Sequence, residues 1–145
     1  MRHHLVLRVV SKLLIPFIIL YGLYVQFHGD FSPGGGFQAG ALVAAAIILY
    51  ALIFGVDRAR RVFNPAVLTV MAAAGVLLFA LVGYAAFIGG GNYLDYDYLL
   101  PNDTTGQYVG IITVEFGVGL TVTAVMALVF FAYAGRTDEI DDEDW

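Results

Sequence analysis

The sequence contains no cysteine. That absence removes disulfides, thiolate-held zinc, iron–sulfur ligation and a cysteine nucleophile together. Charge is scarce too: 13% of the 145 residues are charged, about half the ~25% usual in a soluble domain. The shortfall is too large for a surface that faces water. Histidine is limited to three residues, two of them the adjacent pair His3 and His4. From so few groups no Ser–His–Asp arrangement, helical metal motif or pair of catalytic carboxylates can be built. The chain is therefore expected to be no enzyme and to hold neither metal nor cofactor. Seven basic residues, all close to apolar runs, leave a nucleic-acid role without support. What the chain has in quantity is apolar surface, at 60% hydrophobic residues.

That surface falls into four runs, at 9–27, 37–56, 66–88 and 108–134. Each has about 19 residues or more, enough to cross ~30 Å of hydrocarbon at ~1.5 Å per residue. They are apolar nearly all round and lack the alternation of a barrel strand. In lipid, backbone groups must be satisfied within the segment, so the runs are expected to be helices. The expected fold is thus an all-α membrane protein of four transmembrane helices, one domain over 1–145 with an acidic tail at 135–145. The first run is too long for a signal-peptide core, and "YVQFHGD" offers no small-residue cleavage site. It is expected to stay as a span, distorted at Pro16.

Arg2, Arg8 and Lys12 lie at or before the start of the first run. Arg58, Arg60 and Arg61 separate the second run from the third, and Arg136 follows the fourth. The opposite loops, 28–36 and 89–107, carry Asp30, Asp95, Asp97 and Asp103 instead. The positive-inside rule then places both termini in the cytoplasm. Loop 89–107 mixes Gly, Asn, Asp and Pro with tyrosines suited to a membrane–water interface. The tail "TDEIDDEDW" reads as a solvated acidic end, or else as a docking peptide for a basic partner.

The stretch "HGDFSPGGGFQAG", residues 28–40, separates the first two runs. Gly34 to Ala39 fits G-x-G-x-x-A, with Asp57 about twenty residues on, as in a dinucleotide fingerprint. The fingerprint needs a strand before it, and here a membrane run precedes it and Asp57 falls across the membrane, so nucleotide binding is rejected. Pro33 followed by Gly34, Gly35 and Gly36, and then Phe37, instead suits a tight re-entry into the second span. Gly36 and Gly40 form a GxxxG pair continued by Ala44, and Gly106 and Gly110 repeat that spacing. Such stripes permit close helix contact.

Glu115 differs in kind. A carboxylate inside an apolar run costs at least about 2.5 kcal/mol on insertion scales. It is expected to face the bundle interior and to pair or be protonated. Gly119 and Thr123 share its helix face, while Thr113, Gly117 and Thr121 form a second small stripe. Two roles stand open: part of an ion or proton path, or a protonated group that bonds a neighbouring carbonyl. Lys12 either snorkels to the boundary or pairs with a carboxylate of another subunit. His28 and Asp30, two residues apart at the outer mouth, either exchange protons near neutral pH or are solvated loop residues.

On "GDFSPGGGFQAG" and "EFGVGLTVTAVMAL", and on its length, four runs and basic side, the chain resembles the B subunit of Mrp-type multisubunit Na+/H+ antiporters, the MnhB-like family. The resemblance covers essentially residues 8–134. One departure is clear: the histidine common in the family's glycine loop falls on Asp30, with His28 two residues earlier. The family's acidic-x-Gly-Val stretch matches Glu115, Phe116, Gly117 and Val118. The resemblance implies an accessory subunit of a bacterial or archaeal cell-membrane complex, partnered by large antiporter-like subunits and lipid. That complex would exchange Na+ for H+. Related modules occur in membrane-bound hydrogenases, so a scaffold subunit of an ion-translocating oxidoreductase stands as the alternative.

Overall fold

The computed structural model describes residues 5–29 and 34–135. Asp30 and Pro33, and the tail beyond residue 135, lie outside the described residues. The chain forms α1 (Leu5–Gln26), α2 (Gly36–Phe54), α3 (Val56–Val62), α4 (Pro65–Ile88) and α5 (Asp103–Ala134), and no strand occurs among the described residues. Four of these helices, all but the short α3, are long and apolar enough to cross a membrane. The spans foreseen from hydropathy are therefore present, with shifted ends.

The largest shift is at α5, which begins at Asp103 rather than 108. Polar residues do not end a helix that is well capped, and here the Asn102 side chain accepts from the Thr104 amide at 3.2 Å. The stretch that separates the second run from the third holds the short helix α3. Gly55, at φ +97°, turns the chain between α2 and α3, a conformation open to glycine. Asp57 in the first turn of α3 and Arg60 and Arg61 in its last each face the favourable end of the helix dipole.

α5 is the central element, packed against α2 on one side and α4 on the other, while α1 lies against α2. The closest approaches are made where side chains are missing. A Cβ on Gly40 would stand 2.6 Å from the Gly119 carbonyl of α5. One on Gly117 would stand 2.9 Å from the Gly75 carbonyl of α4. Hydroxyls reinforce both seams. Thr123 donates to the Gly40 carbonyl at 3.2 Å, and the Thr121 hydroxyl lies 3.3 Å from that of Ala72. Lipid offers no hydrophobic drive between helices, so such contacts carry the packing. A small apolar core of Ile47, Ala51, Ala59, Leu68, Ala124, Ala127 and Phe131 closes the end bearing α3.

Gly106 and Gly110 behave otherwise than their spacing suggests. They make room not for a helix but for Tyr96: a Cβ on Gly110 would stand 2.6 Å from the Tyr96 ring carbon Cγ. The loop before α5 thus folds back on it through a 3-10 turn at Tyr96–Tyr98, and Gln107 donates to Asp97 at 2.8 Å. Burial, with the neighbouring Tyr93 phenol second, pushes the Tyr96 phenol above the ordinary tyrosine range, so it stays neutral.

At the other end the Arg60 guanidinium donates to the Phe131 carbonyl in the last turn of α5. It joins the Gly135 amide, 3.1 Å away, on that helix-end acceptor and complements the dipole. Arg60→Met should lower resistance to unfolding in mixed micelles by about 1.5–3 kcal/mol, the range for a hydrogen bond to a charged group. An unchanged transition would mean that the bond is not formed.

Candidate functional site

Glu115 lies on α5 twelve residues beyond its first residue, half-buried, on the side turned to the α1–α2 connection. Its carboxylate rests against backbone. A Cβ on Gly29 would stand 2.7 Å from the carboxylate carbon, and closer to both oxygens. One on Gly35 would stand 2.9 Å from the same carbon, and closer to Oε1. Gly36 faces the main chain of the same residue: its Cβ would stand 2.7 Å from the Glu115 carbonyl carbon and 3.0 Å from its Cα. The glycines thus act as a wall. Two of them leave room for the acid, and the third lets α2 meet the α5 backbone.

Gly34 does separate work. Its φ of +151° lies in the range that L side chains rarely adopt, and the Gln38 amide oxygen fills the space beside it. It sets the entry into α2 and keeps Gly35 and Gly36 aimed at Glu115. Phe37, at 65% exposure, points away from the core. Gly40 and Gly117 serve the helix seams described above.

One turn further along α5 lies a residue that sequence reasoning overlooked. Gln26, 7% exposed, ends α1 with its amide oxygen against Gly119. Its Nε2 is buried without a hydrogen-bond partner. Gln26, Gly40, Gly119 and Thr123 help line a cavity of ≈ 150 Å³ between α1, α2 and α5. The signal was present: "YVQ" puts a neutral amide in the last turn of an apolar run, a position where a polar group needs a reason. The cavity places polar groups directly below the acid.

The remaining candidates separate into two ends. His28 adjoins Gly29 and is exposed, its ring stacked on Tyr24 at 4.1 Å. It therefore shares the end that holds Glu115. Lys12 does not: its ammonium sits 5.8 Å from the centre of the Phe54 ring, at the end of α2 away from Gly36. Asp57, the acid of the rejected fingerprint, is on α3 at that same far end. Among the described residues, no group of three or more histidine or acidic side chains is placed to hold a metal ion. Chemically the arrangement offers a half-buried carboxylate against a wall of glycine backbone, followed along α5 by the Gln26 amide and the Thr123 hydroxyl.

Comparison with known proteins bears on what such a carboxylate serves. A family model described as "Domain related to MnhB subunit of Na+/H+ antiporter" matches residues 6–128. A putative antiporter subunit mnhB2 of Staphylococcus aureus (strain Newman) is 30% identical over 135 residues, covering 90% of this chain and 94% of that protein. The B subunit of the Na(+)/H(+) antiporter of Bacillus subtilis (strain 168) is 31% identical over 94 residues. That match spans 65% of each chain, slightly under two thirds of the Bacillus protein.

Proposed function

Because the chain belongs to the MnhB family, related to the B subunit of Na+/H+ antiporters, we propose that it acts as a membrane subunit of a multisubunit Na+/H+ antiporter, with Glu115 on an ion or proton path. It is a multi-pass protein of the cell membrane and a transporter subunit rather than an enzyme. Its partners are the other subunits of the complex, the large antiporter-like ones included. Arg8, Lys12, Arg58, Arg60 and Arg61 gather at the end bearing α3. The positive-inside rule makes that end cytoplasmic and opens the Glu115 wall to the outside.

The observation that carries the role of Glu115 is its seat against Gly29 and Gly35. A protonated acid needed only as glue would be served by donating to one carbonyl on a neighbouring helix. Here the connection omits side chains at two positions around the acid, which keeps it beside polar backbone near the loop end. Such a group can accept and release a proton or a monovalent cation without crossing apolar packing. The test is Glu115→Ala in the assembled complex, with Na+-driven proton flux measured in vesicles. Flux should fall by at least about tenfold, equivalent to about 1.4 kcal/mol in the barrier. Normal flux at matched complex abundance would remove Glu115 from the path.

A second reading, a purely structural scaffold, draws on the glycine contacts at Gly36, Gly40, Gly75 and Gly117. These hold the helices of this chain to one another. The scaffold reading predicts that Glu115→Ala is harmless once the complex has assembled.

A further inference from the structure

At the end opposite Glu115, α1, α2 and α3 enclose a groove of ≈ 520 Å³. Its lining includes three cations, Arg8, Lys12 and Arg58, and among the described residues no carboxylate. Two of the cations are held by an aromatic floor rather than by an acid: Arg8 lies 5.6 Å and Lys12 5.8 Å from the centre of the Phe54 ring. The spacing of Arg8 and Lys12 puts them one above the other on one face of α1, and Arg58 reaches the same space from α3. The rest of the lining includes Leu5, Val9 and Ile15, so the groove is basic and apolar at once. Along α1 the surface continues apolar and open, with Leu13 62% and Phe17 67% exposed.

We propose that this groove binds an anionic phospholipid, its phosphate between Arg8, Lys12 and Arg58 and its acyl chains along α1. Both halves of the groove select that occupant. A phosphate diester answers three cations that share a lining with no carboxylate among the described residues, at the level where a helix leaves the membrane. Acyl chains answer the apolar wall that continues from the groove into the bilayer. The chain's own acidic tail, "TDEIDDEDW", matches the cations but brings only Ile140 and Trp145, five residues apart, to a wall that runs along α1. Pro16, which also lines the groove, cannot donate the backbone hydrogen bond that the Lys12 carbonyl would otherwise accept. The α1 backbone there therefore has an acceptor to spare for a headgroup hydroxyl. Nothing in this site depends on the role of Glu115, which lies at the other end.

The experiment uses the whole complex, stripped of lipid and returned to nanodiscs of phosphatidylcholine doped with phosphatidylglycerol. Bound phosphatidylglycerol is counted by native mass spectrometry. Each basic residue at an anionic surface contributes about fivefold in affinity, so the triple variant Arg8→Gln, Lys12→Gln, Arg58→Gln should bind on the order of a hundredfold more weakly. Arg58→Gln alone, at an exposed position of α3, should lose about fivefold while assembling normally. Phosphatidylcholine retention should not change. Equal phosphatidylglycerol retention by wild type and by Arg58→Gln would overturn the proposal. So would displacement by inorganic phosphate at the lipid's own potency, or a photo-crosslinker at Ile15 that captures a protein subunit or the acidic tail instead of lipid.

Discussion

A chain carrying Gly36→Leu should be missing from the assembled complex. The first carbon of any side chain at this position would fall 2.7 Å from the Glu115 carbonyl carbon, and nearer still to its oxygen. The obstacle is the backbone of a helix, which cannot swing aside as a side chain can. Either α2 moves away from α5 or the residue does not fit. Overpacking a close-packed seam usually costs about 1–3 kcal/mol, and a clash with two backbones belongs at or above the top of that range. Moving α2 outward would also break the Thr123 bond to the Gly40 carbonyl. The measurement is the abundance of the intact complex on a native gel, with the free chain followed by immunoblot. Wild-type abundance would mean that the α2–α5 contact is not as close as described.

Gly35→Ala should do the reverse, leaving assembly intact while flux falls. Here the added carbon meets only the end of the Glu115 side chain, 2.9 Å from the carboxylate carbon. A carboxylate can rotate away at little cost to packing, so the helices stay where they are. It then no longer sits against the connection, and a site that needs it there loses its geometry. Flux per complex should drop by about tenfold, a displacement worth about 1.4 kcal/mol in the barrier. Gly29→Ala approaches the same group from the other side, at 2.7 Å, and should behave alike. Impaired assembly with normal flux per complex would favour the scaffold reading instead. The two kinds of glycine variant thus separate a packing role from a site role within one short segment.

The spans were legible because their signal is long and redundant: about 19 apolar residues in succession leave a helix as the only way to satisfy the backbone in lipid. The ends were less legible. Asn102 caps α5 six residues before the apolar run starts, and Gly55 lets α3 form inside what reads as a charged loop. Caps and turns are set by one or two residues, and hydropathy averages over them. At the candidate site, Glu115 stood out because an acid in an apolar run is costly. Its neighbours could not be named, since which glycine faces which atom depends on the rotation of two helices. Gly106 and Gly110 show the same limit from the other side: their GxxxG spacing is real, yet a tyrosine fills it. Gln26 was overlooked because a neutral amide carries little weight beside a carboxylate. Its buried, unpartnered nitrogen becomes visible only when α1 is set against α5.

The most direct measurement is Na+-driven proton flux in vesicles bearing the Glu115→Gln complex at wild-type abundance. Glutamine keeps the length and shape of the side chain within its glycine wall, exchanges one oxygen for an NH2 donor and removes the exchangeable charge. The account predicts an assembled complex whose flux is at least about tenfold below wild type. Wild-type flux from that complex would contradict it.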